Sequence, residues 1–159
     1  MEGSALNRKL KQCLLWTTVL LTAAMIWIFS SQNAEQSAAL SGSLLEKLLH
    51  CFGLDNLGEE TLGILRGLIR KAGHFAEYAL LGFLCMFLAD SYALRYRGAA
   101  AWGGATGYAI TDEIHQMMVA GRAGMVSDVL LDSVGVLTGI WIALILMKLM
   151  KNQSKGNAP

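Results

Sequence analysis

The sequence predicts an all-helical integral membrane protein: a bundle of four transmembrane helices with an amphipathic helical loop between the first and second spans. Of the 159 residues, 54% are hydrophobic and only 16% are charged, whereas soluble domains usually carry about 25% charged residues. The apolar residues gather in runs close to the roughly 20 residues that a helix needs to cross the hydrocarbon core. The single proline is Pro159, so no predicted helix is broken by proline.

The first span is predicted at about residues 13–30, where the run from Cys13 to Phe29 carries no charge. Basic residues precede it, as they also precede the apolar part of a signal peptide. No clear A-x-A cleavage site follows the run. We therefore expect an uncleaved span rather than a signal peptide.

An outer loop is predicted over residues 31–71, and it contains two amphipathic helices. Apolar residues recur at helical spacing in each half, and Gly53 is expected to end the first helix. Two acidic residues, Glu59 and Glu60, begin the second helix, where their negative charges interact favourably with the helix dipole. These helices are expected to lie at the outer membrane surface or to cap the bundle, and ordinary packing against the spans is an equally good reading. The predicted apolar stripes are Leu40, Leu44, Leu45, Leu48 and Phe52, then Leu62, Leu65, Leu68 and Ile69.

Three further spans are predicted at about residues 74–93, 98–119 and 126–148. The second span is interrupted by Glu77, and the third is rich in small residues that permit close helix contact in lipid. Gly135 and Gly139 are expected to form a packing surface on the fourth span. Lys and Arg near the span ends are more numerous on the side of the termini, which predicts that both termini are cytoplasmic.

Composition narrows the function classes. The net charge of +1 gives no indication of a nucleic-acid-binding surface. The cysteines Cys13, Cys51 and Cys85 lack metal-ligand spacing, so they are expected to be small apolar residues. No cofactor is predicted, and the sequence does not indicate an oligomeric state.

Polar residues cluster where the outer ends of the last three predicted spans should meet. A charged side chain at the centre of a membrane helix costs roughly 2.5–3.5 kcal/mol on insertion scales, and less near an interface. Several charges in one region therefore indicate one inward-facing polar site, although such residues can also simply tie spans together, for example with Arg122 joining Asp128 and Asp132. The candidate catalytic residues are His74, Glu77, Asp112, Glu113, Gln116, Arg122 and Asp128, and the candidate substrate-binding residues are Lys71, Tyr78 and Asp132.

These residues also carry a family resemblance. The segments IRKAGHFAEYALLGFL, YAITDEIHQMMVAGR and SDVLLDSVGVLTG resemble the VanZ-like membrane protein family over about residues 25–145, and FSSQ at 29–32 resembles the end of the family's first span. The chain departs from the family at Ala120, where proline is common, and at Asp132, where many members have asparagine. The resemblance implies a single VanZ-like domain over residues 1–159, a multi-pass location in the bacterial cytoplasmic membrane, and a cell-envelope role linked to resistance to the glycopeptide teicoplanin.

Three functions fit this site. The first is an enzyme on a lipid-linked envelope substrate, with His74 and Glu77 as general acid and base and Arg122 binding an anion. A divalent metal on Asp112, Glu113 and Asp128 is a less favoured variant, since the spacing is not a known metal signature. The second is a non-catalytic protein that binds lipid or lipopeptide. The third is a small proton-coupled transporter, favoured by buried acids but disfavoured by only four spans.

Overall fold

The structure is a computed structural model that describes residues 2–54 and 57–156. The predicted domain ends at residues 1 and 157–159, and loop positions 55–56, lie outside the described residues. Over the described ranges the chain is all-helical, with five helices and no strand. They are α1 (Glu2–Ser30), α2 (Ala34–Phe52), α3 (Glu59–Ser91), α4 (Arg97–Gln116) and α5 (Val126–Gly156).

Three helical segments are long and apolar enough to cross a membrane: Ala5–Ser30, Glu59–Ser91 and Val126–Gln153. These segments indicate a membrane protein. Helix α4, which corresponds to the third predicted span, has 20 residues but is not among them. Its glycines, alanines and terminal acids make it less apolar than the others.

Helix α3 joins two elements that the sequence analysis had separated. The second predicted amphipathic helix and the second predicted span form one continuous helix of 33 residues. At a rise of about 1.5 Å per residue this helix is about 50 Å long, well beyond a hydrocarbon core of about 30 Å. Part of α3 must therefore project beyond any membrane that it crosses.

Helix α2 begins and ends with well-defined caps. Asn33 and Gln36 form a reciprocal capping box at its start, and Gly53 ends it with φ 68°, as predicted. Its buried residues are Ser37, Ser41, Gly42 and Leu45, so of the predicted apolar stripe only Leu45 packs against the bundle. The rest of the predicted apolar stripe is exposed: Leu40, Leu44, Leu48 and Phe52.

The core lies where α3 packs against α1, α4 and α5. Tyr78 and Met86 of α3 and Val136 of α5 are fully buried there. Gly135 and Gly139 allow α5 to approach the backbone of α3, since a Cβ at Gly135 would lie only 2.6 Å from a carbonyl oxygen of α3. The predicted packing role of these two glycines is confirmed.

Candidate functional site

The polar residues meet at one end of the bundle. Helices α1 and α4 end there, α5 begins there, and α3 passes through with the residues around His74. The loop of residues 117–125 joins α4 to α5 at this end. Because the helices run alternately up and down the bundle, residues that are distant in the sequence meet at this end.

A buried hydrogen-bond network surrounds Asp112 in the last turns of α4. Ser30 at the end of α1 donates to Asp112 Oδ2 at 2.8 Å, and Gln116 donates to the same oxygen at 3.0 Å. Ser30 and Asp112 have no exposed surface. The shared oxygen therefore ties the end of α1 to α4.

Arg122 extends this network into the loop and on to α2. Its guanidinium donates to Gln116 Oε1 and to Ser37 Oγ, each at 2.9 Å. Both acceptors are neutral, so no carboxylate takes a hydrogen bond from this cation. Burial, followed by the neighbouring Arg70, lowers the pKa of Arg122, while Asp112 and Glu113 act in the opposite direction.

The loop that carries Arg122 is fitted closely against the start of α2. Gly121 has φ 75°, a left-handed conformation that favours glycine. The Ala34 amide donates to the Ala120 carbonyl at 3.4 Å. A Cβ at Gly121 would lie 3.0 Å from the Ala34 Cβ. Two features therefore fix the position of Arg122: the backbone conformation of the loop and the hydrogen bonds of its own guanidinium group.

Two further acids have partners: Glu113 accepts a backbone hydrogen bond, and Asp128 forms an ion pair. Glu113 accepts a hydrogen bond of 2.6 Å from the Met125 amide. Lys71 pairs with Asp128 at 3.0 Å, with both side chains partly exposed. These contacts join α4 to the loop and α3 to α5.

Some buried polar groups have no hydrogen-bond partner among the described residues. His74 Nδ1 lies 3.9 Å from Glu77 Oε2, which is close enough for an electrostatic contact but too long for a hydrogen bond. The Tyr78 hydroxyl is near Asp112 without meeting hydrogen-bond geometry. Asp132 Oδ1 is also unpartnered, although the residue is only 3% exposed. Buried polar atoms without partners are rare in folded proteins and indicate an unfilled bonding requirement.

Two cavities adjoin at this end of the bundle. The first, of about 200 Å³, is lined by charged residues from α3, α4, α5 and the loop. The second, of about 160 Å³, lies between α2, α3 and the end of α1, and its lining includes Phe29, Leu40, Leu44 and Ile69. Both cavities are lined by Arg70, His74 and Arg122.

The VanZ/LLP1 family matches residues 15–147 of the chain. This chain belongs to the VanZ/LLP1 family. No curated protein and no solved structure gives a significant match. Family membership thus rests on most of the chain's length, and the resemblance drawn from its motifs is confirmed.

The structure of this VanZ/LLP1 protein brings most of the candidate residues together. Tyr78 and Asp112 are buried behind the cavities, and Glu77 lines the second. The arrangement in which Arg122 joins Asp128 and Asp132 is wrong, because Lys71 pairs with Asp128 and Arg122 reaches α2. The described residues contain no cluster of three His, Cys, Asp or Glu side chains arranged for a metal. The first cavity is lined by Lys71, His74, Glu113, Gln116, Arg122, Asp128 and Asp132.

Three residues of the site were missed as site residues. Ser30 and Ser37 accept or donate in the network around Asp112 and Arg122, and Arg70 lines both cavities. Ser30 lies within the FSSQ segment, where a hydroxyl directly after an apolar span was a usable signal. Ser37 gave no comparable signal, because serine is common near the start of a helix.

Proposed function

We propose that this protein is a four-span protein of the bacterial cytoplasmic membrane that binds, at its outer face, a lipid-linked component of the cell envelope through a phosphate or carboxylate group. The observation that carries this proposal is the pair of adjoining cavities that share Arg70, His74 and Arg122. One cavity is lined by charges and the other by many apolar side chains. This combination suits an amphiphile whose head group and chain require different surroundings.

The fourth span in this proposal is α4. Its 20 residues would extend about 30 Å, which matches the hydrocarbon core. Ala101, Ala105 and Ala109 form a buried face at spacings of four residues, so neighbouring helices cover part of α4. The outer amphipathic segment is then α2 together with the start of α3.

In the proposed orientation the site lies on the outer side. The positively charged start of α1 and Arg95, in the connection between α3 and α4, belong to the opposite end of the bundle. The positive-inside rule assigns that end to the cytoplasm. Both termini would then be cytoplasmic, and the cavities would face envelope components outside the membrane.

The anion site in this proposal is formed by Arg70 and Arg122. Arg122 donates hydrogen bonds only to neutral acceptors, and Arg70 forms no ion pair among the described residues. Guanidinium groups bind phosphate and carboxylate through two parallel hydrogen bonds. An anion between these two groups would also relieve their mutual repulsion.

The chain-binding part is the second cavity. Leu40 and Leu44 are 55% and 50% exposed, so this cavity opens along α2. Drug-sized ligands usually occupy pockets of about 300–1,000 Å³. Each cavity is smaller than that, which favours one group of a larger molecule in each cavity.

The test uses purified protein and the lipids that it retains. Wild type and Arg70→Gln are solubilised in a mild detergent, incubated with a bacterial lipid extract, repurified and analysed by mass spectrometry. Arg70 makes no hydrogen bond or ion pair among the described residues, so the variant should fold normally. Arg95→Gln is the matched control, because it removes the same charge at the opposite end of the bundle. We expect lipids that carry a phosphate or carboxylate group to be retained by wild type and the control and to be depleted from Arg70→Gln. Equal retention by all three would contradict the proposal.

A second function, acid–base catalysis on the bound component, is favoured by the position of His74 and Glu77. Both side chains line the second cavity, and the unpartnered His74 Nδ1 lies 3.9 Å from the Glu77 carboxylate. Histidine suits proton transfer near neutral pH. If the protein catalyses a reaction, wild type should convert a lipid during the incubation, whereas His74→Gln should retain it unchanged. Absence of any converted lipid with wild type would leave binding as the function.

A link to teicoplanin resistance would follow from binding. A protein that occupies an envelope component at the outer leaflet can alter the access of a glycopeptide to that component. The expected consequence is that Arg70→Gln lowers any resistance conferred by expression of wild type. A resistance level equal in wild type and Arg70→Gln, with both at equal abundance, would separate resistance from lipid binding.

A further inference from the structure

We propose that the head group bound in the charged cavity is zwitterionic, joining an anionic phosphate or carboxylate to an amine. This inference rests on the proposed function and specifies its ligand class. The anion would bind Arg70 and Arg122, and the amine would donate a hydrogen bond to Asp132. The juxtaposition of these three side chains around one cavity of about 200 Å³ is the basis of the inference.

Side chains of both signs line the cavity. Three bases line it, namely Arg70, Lys71 and Arg122, and so do three acids, Glu113, Asp128 and Asp132. A ligand with an anion alone would leave Asp132 Oδ1 without a donor, and an ammonium ion alone would leave Arg70 and Arg122 without an anion. A head group that carries both an anion and an amine provides partners for both.

The bases and the acids belong to different elements of the fold. Arg70 and Lys71 lie on α3, whereas Asp128 and Asp132 lie one turn apart on α5. Arg122 stands on the loop between α4 and α5. The cavity therefore presents bases and acids on different elements, as a ligand with two opposite charges requires.

Among the three acids that line the cavity, Asp132 is the one with a buried oxygen that has no hydrogen-bond partner among the described residues. Asp128 is already paired with Lys71, and Glu113 accepts the Met125 amide. Asp132 is 3% exposed, lines the cavity, and has no hydrogen-bond partner for its Oδ1 among the described residues. A donor from the ligand would satisfy this atom. A primary amine supplies such a donor together with a complementary charge.

A metal ion is a poorer fit than an amine for this acceptor. Within the described residues no three His, Cys, Asp or Glu side chains are arranged as metal ligands. One free carboxylate oxygen beside two committed acids matches an N–H donor better than a hard cation, which takes six or more oxygen ligands.

The first measurement compares lipids on the wild-type protein. Native mass spectrometry in detergent gives the affinities for phosphatidylethanolamine, phosphatidylcholine and phosphatidylglycerol with identical acyl chains. Phosphatidylethanolamine carries a donating amine, phosphatidylcholine carries a cation without an N–H donor, and phosphatidylglycerol carries the anion alone. A hydrogen bond to a charged group predicts roughly tenfold or greater preference for phosphatidylethanolamine over the other two. Equal binding of all three would overturn the inference while leaving lipid binding intact.

The second measurement assigns the preference to Asp132. In Asp132→Asn, which has the same shape, we expect the ratio of phosphatidylethanolamine to phosphatidylglycerol binding to fall to about one. Asp90→Asn is the matched control: it makes the same change at an acid that already has a partner, Arg97, and that lies at the opposite end of the bundle. That variant should retain the wild-type ratio. An unchanged ratio in Asp132→Asn, or equal losses in both variants, would contradict the assignment.

Soluble O-phosphoethanolamine separates the head group from the lipid. Weak competition by this compound against phosphatidylethanolamine supports a lipid ligand with a zwitterionic head. Competition as strong as that of the lipid would retain the zwitterion inference but contradict the lipid-linked part of the proposed function. Failure of wild type to bind any of these compounds would overturn both.

Discussion

Replacement of Gly139 by alanine tests the closest approach between two helices in this protein. A Cβ at Gly139 would fall far inside van der Waals distance of the Ala79 carbonyl oxygen and close to the Phe83 amide nitrogen. These are backbone atoms of α3, so they cannot move without displacing the helix. Inserting even one methyl group into such a contact typically costs about 1–3 kcal/mol.

The matched control is Gly107→Ala in the middle of α4, where an added Cβ meets no atom within 4 Å. Both substitutions gain about 0.5–1 kcal/mol from the greater helix propensity of alanine. Gly107→Ala should therefore stabilise the protein slightly. Gly139→Ala should destabilise it relative to that control, and because the propensity gain is common to both changes, the difference between them is the steric cost of roughly 1–3 kcal/mol.

The assay is equilibrium unfolding by SDS titration in mixed micelles, followed by tryptophan fluorescence. It reports the free energy of unfolding without the aggregation that accompanies heating. A Gly139→Ala protein within about 0.5 kcal/mol of Gly107→Ala would refute the reasoning, because differences of that size are ordinary for substitutions away from any packing feature. It would mean that α3 and α5 are not in backbone contact at this position.

Further predictions concern the elements that hold the site. Gly121→Ala should lower the free energy of unfolding by about 1–3 kcal/mol. It should also weaken lipid binding, because it displaces the loop that carries Arg122. Gly53→Ala, also at positive φ but away from the site, should leave lipid binding unchanged. Asn33→Ala should cost about 0.5–2 kcal/mol in the same unfolding assay by removing the cap of α2, and Asn33→Ser should restore most of it. A double-mutant cycle on Lys71 and Asp128 should give a coupling of only about 0.2–1 kcal/mol, because both side chains are partly exposed.

The helices themselves were predictable because uncharged runs have few alternatives in lipid. Gly53 was predictable as a helix end for a local reason, because glycine adopts the left-handed backbone conformation without a steric penalty. The continuity of α3 was not predictable, since the polar residues around Arg70 suggested a boundary between loop and span. A helix continues through polar residues wherever nothing breaks its backbone hydrogen bonds. Around Arg70 the side chains change from apolar to charged, but the backbone of α3 is not interrupted.

The orientation of α2 shows why periodicity has limited use beside a membrane. The spacing of Leu40, Leu44 and Leu48 correctly identified one face of a helix. In water that face would turn toward the protein, but lipid receives apolar side chains as readily as a core does. The small residues Ser41 and Gly42 instead allow close contact with α3, where Arg66 approaches.

The pairing of charges was beyond sequence reasoning because several acids compete for each base. Helical spacing showed that Asp128 and Asp132 share a face, but it did not specify which base reaches them. The ion pair of Lys71 and Asp128 depends on the position of α3 relative to α5, which is set by the glycine contacts farther along both helices. The partner of a charge thus depends on helix packing that the charge pattern alone does not show.

The hydrogen bonds of Arg122 support the proposed anion site. A cation that only ties helices together is most stable against a carboxylate, and Lys71 has such a partner in Asp128. Arg122 lies among carboxylates but donates to the amide oxygen of Gln116 and the hydroxyl of Ser37. These neutral acceptors fix the guanidinium in place without neutralising it, and Asp112 is held instead by Ser30 and Gln116. A positioned cation that keeps its charge is the property that an anion site requires, and an ion pair at Arg122 would have removed it.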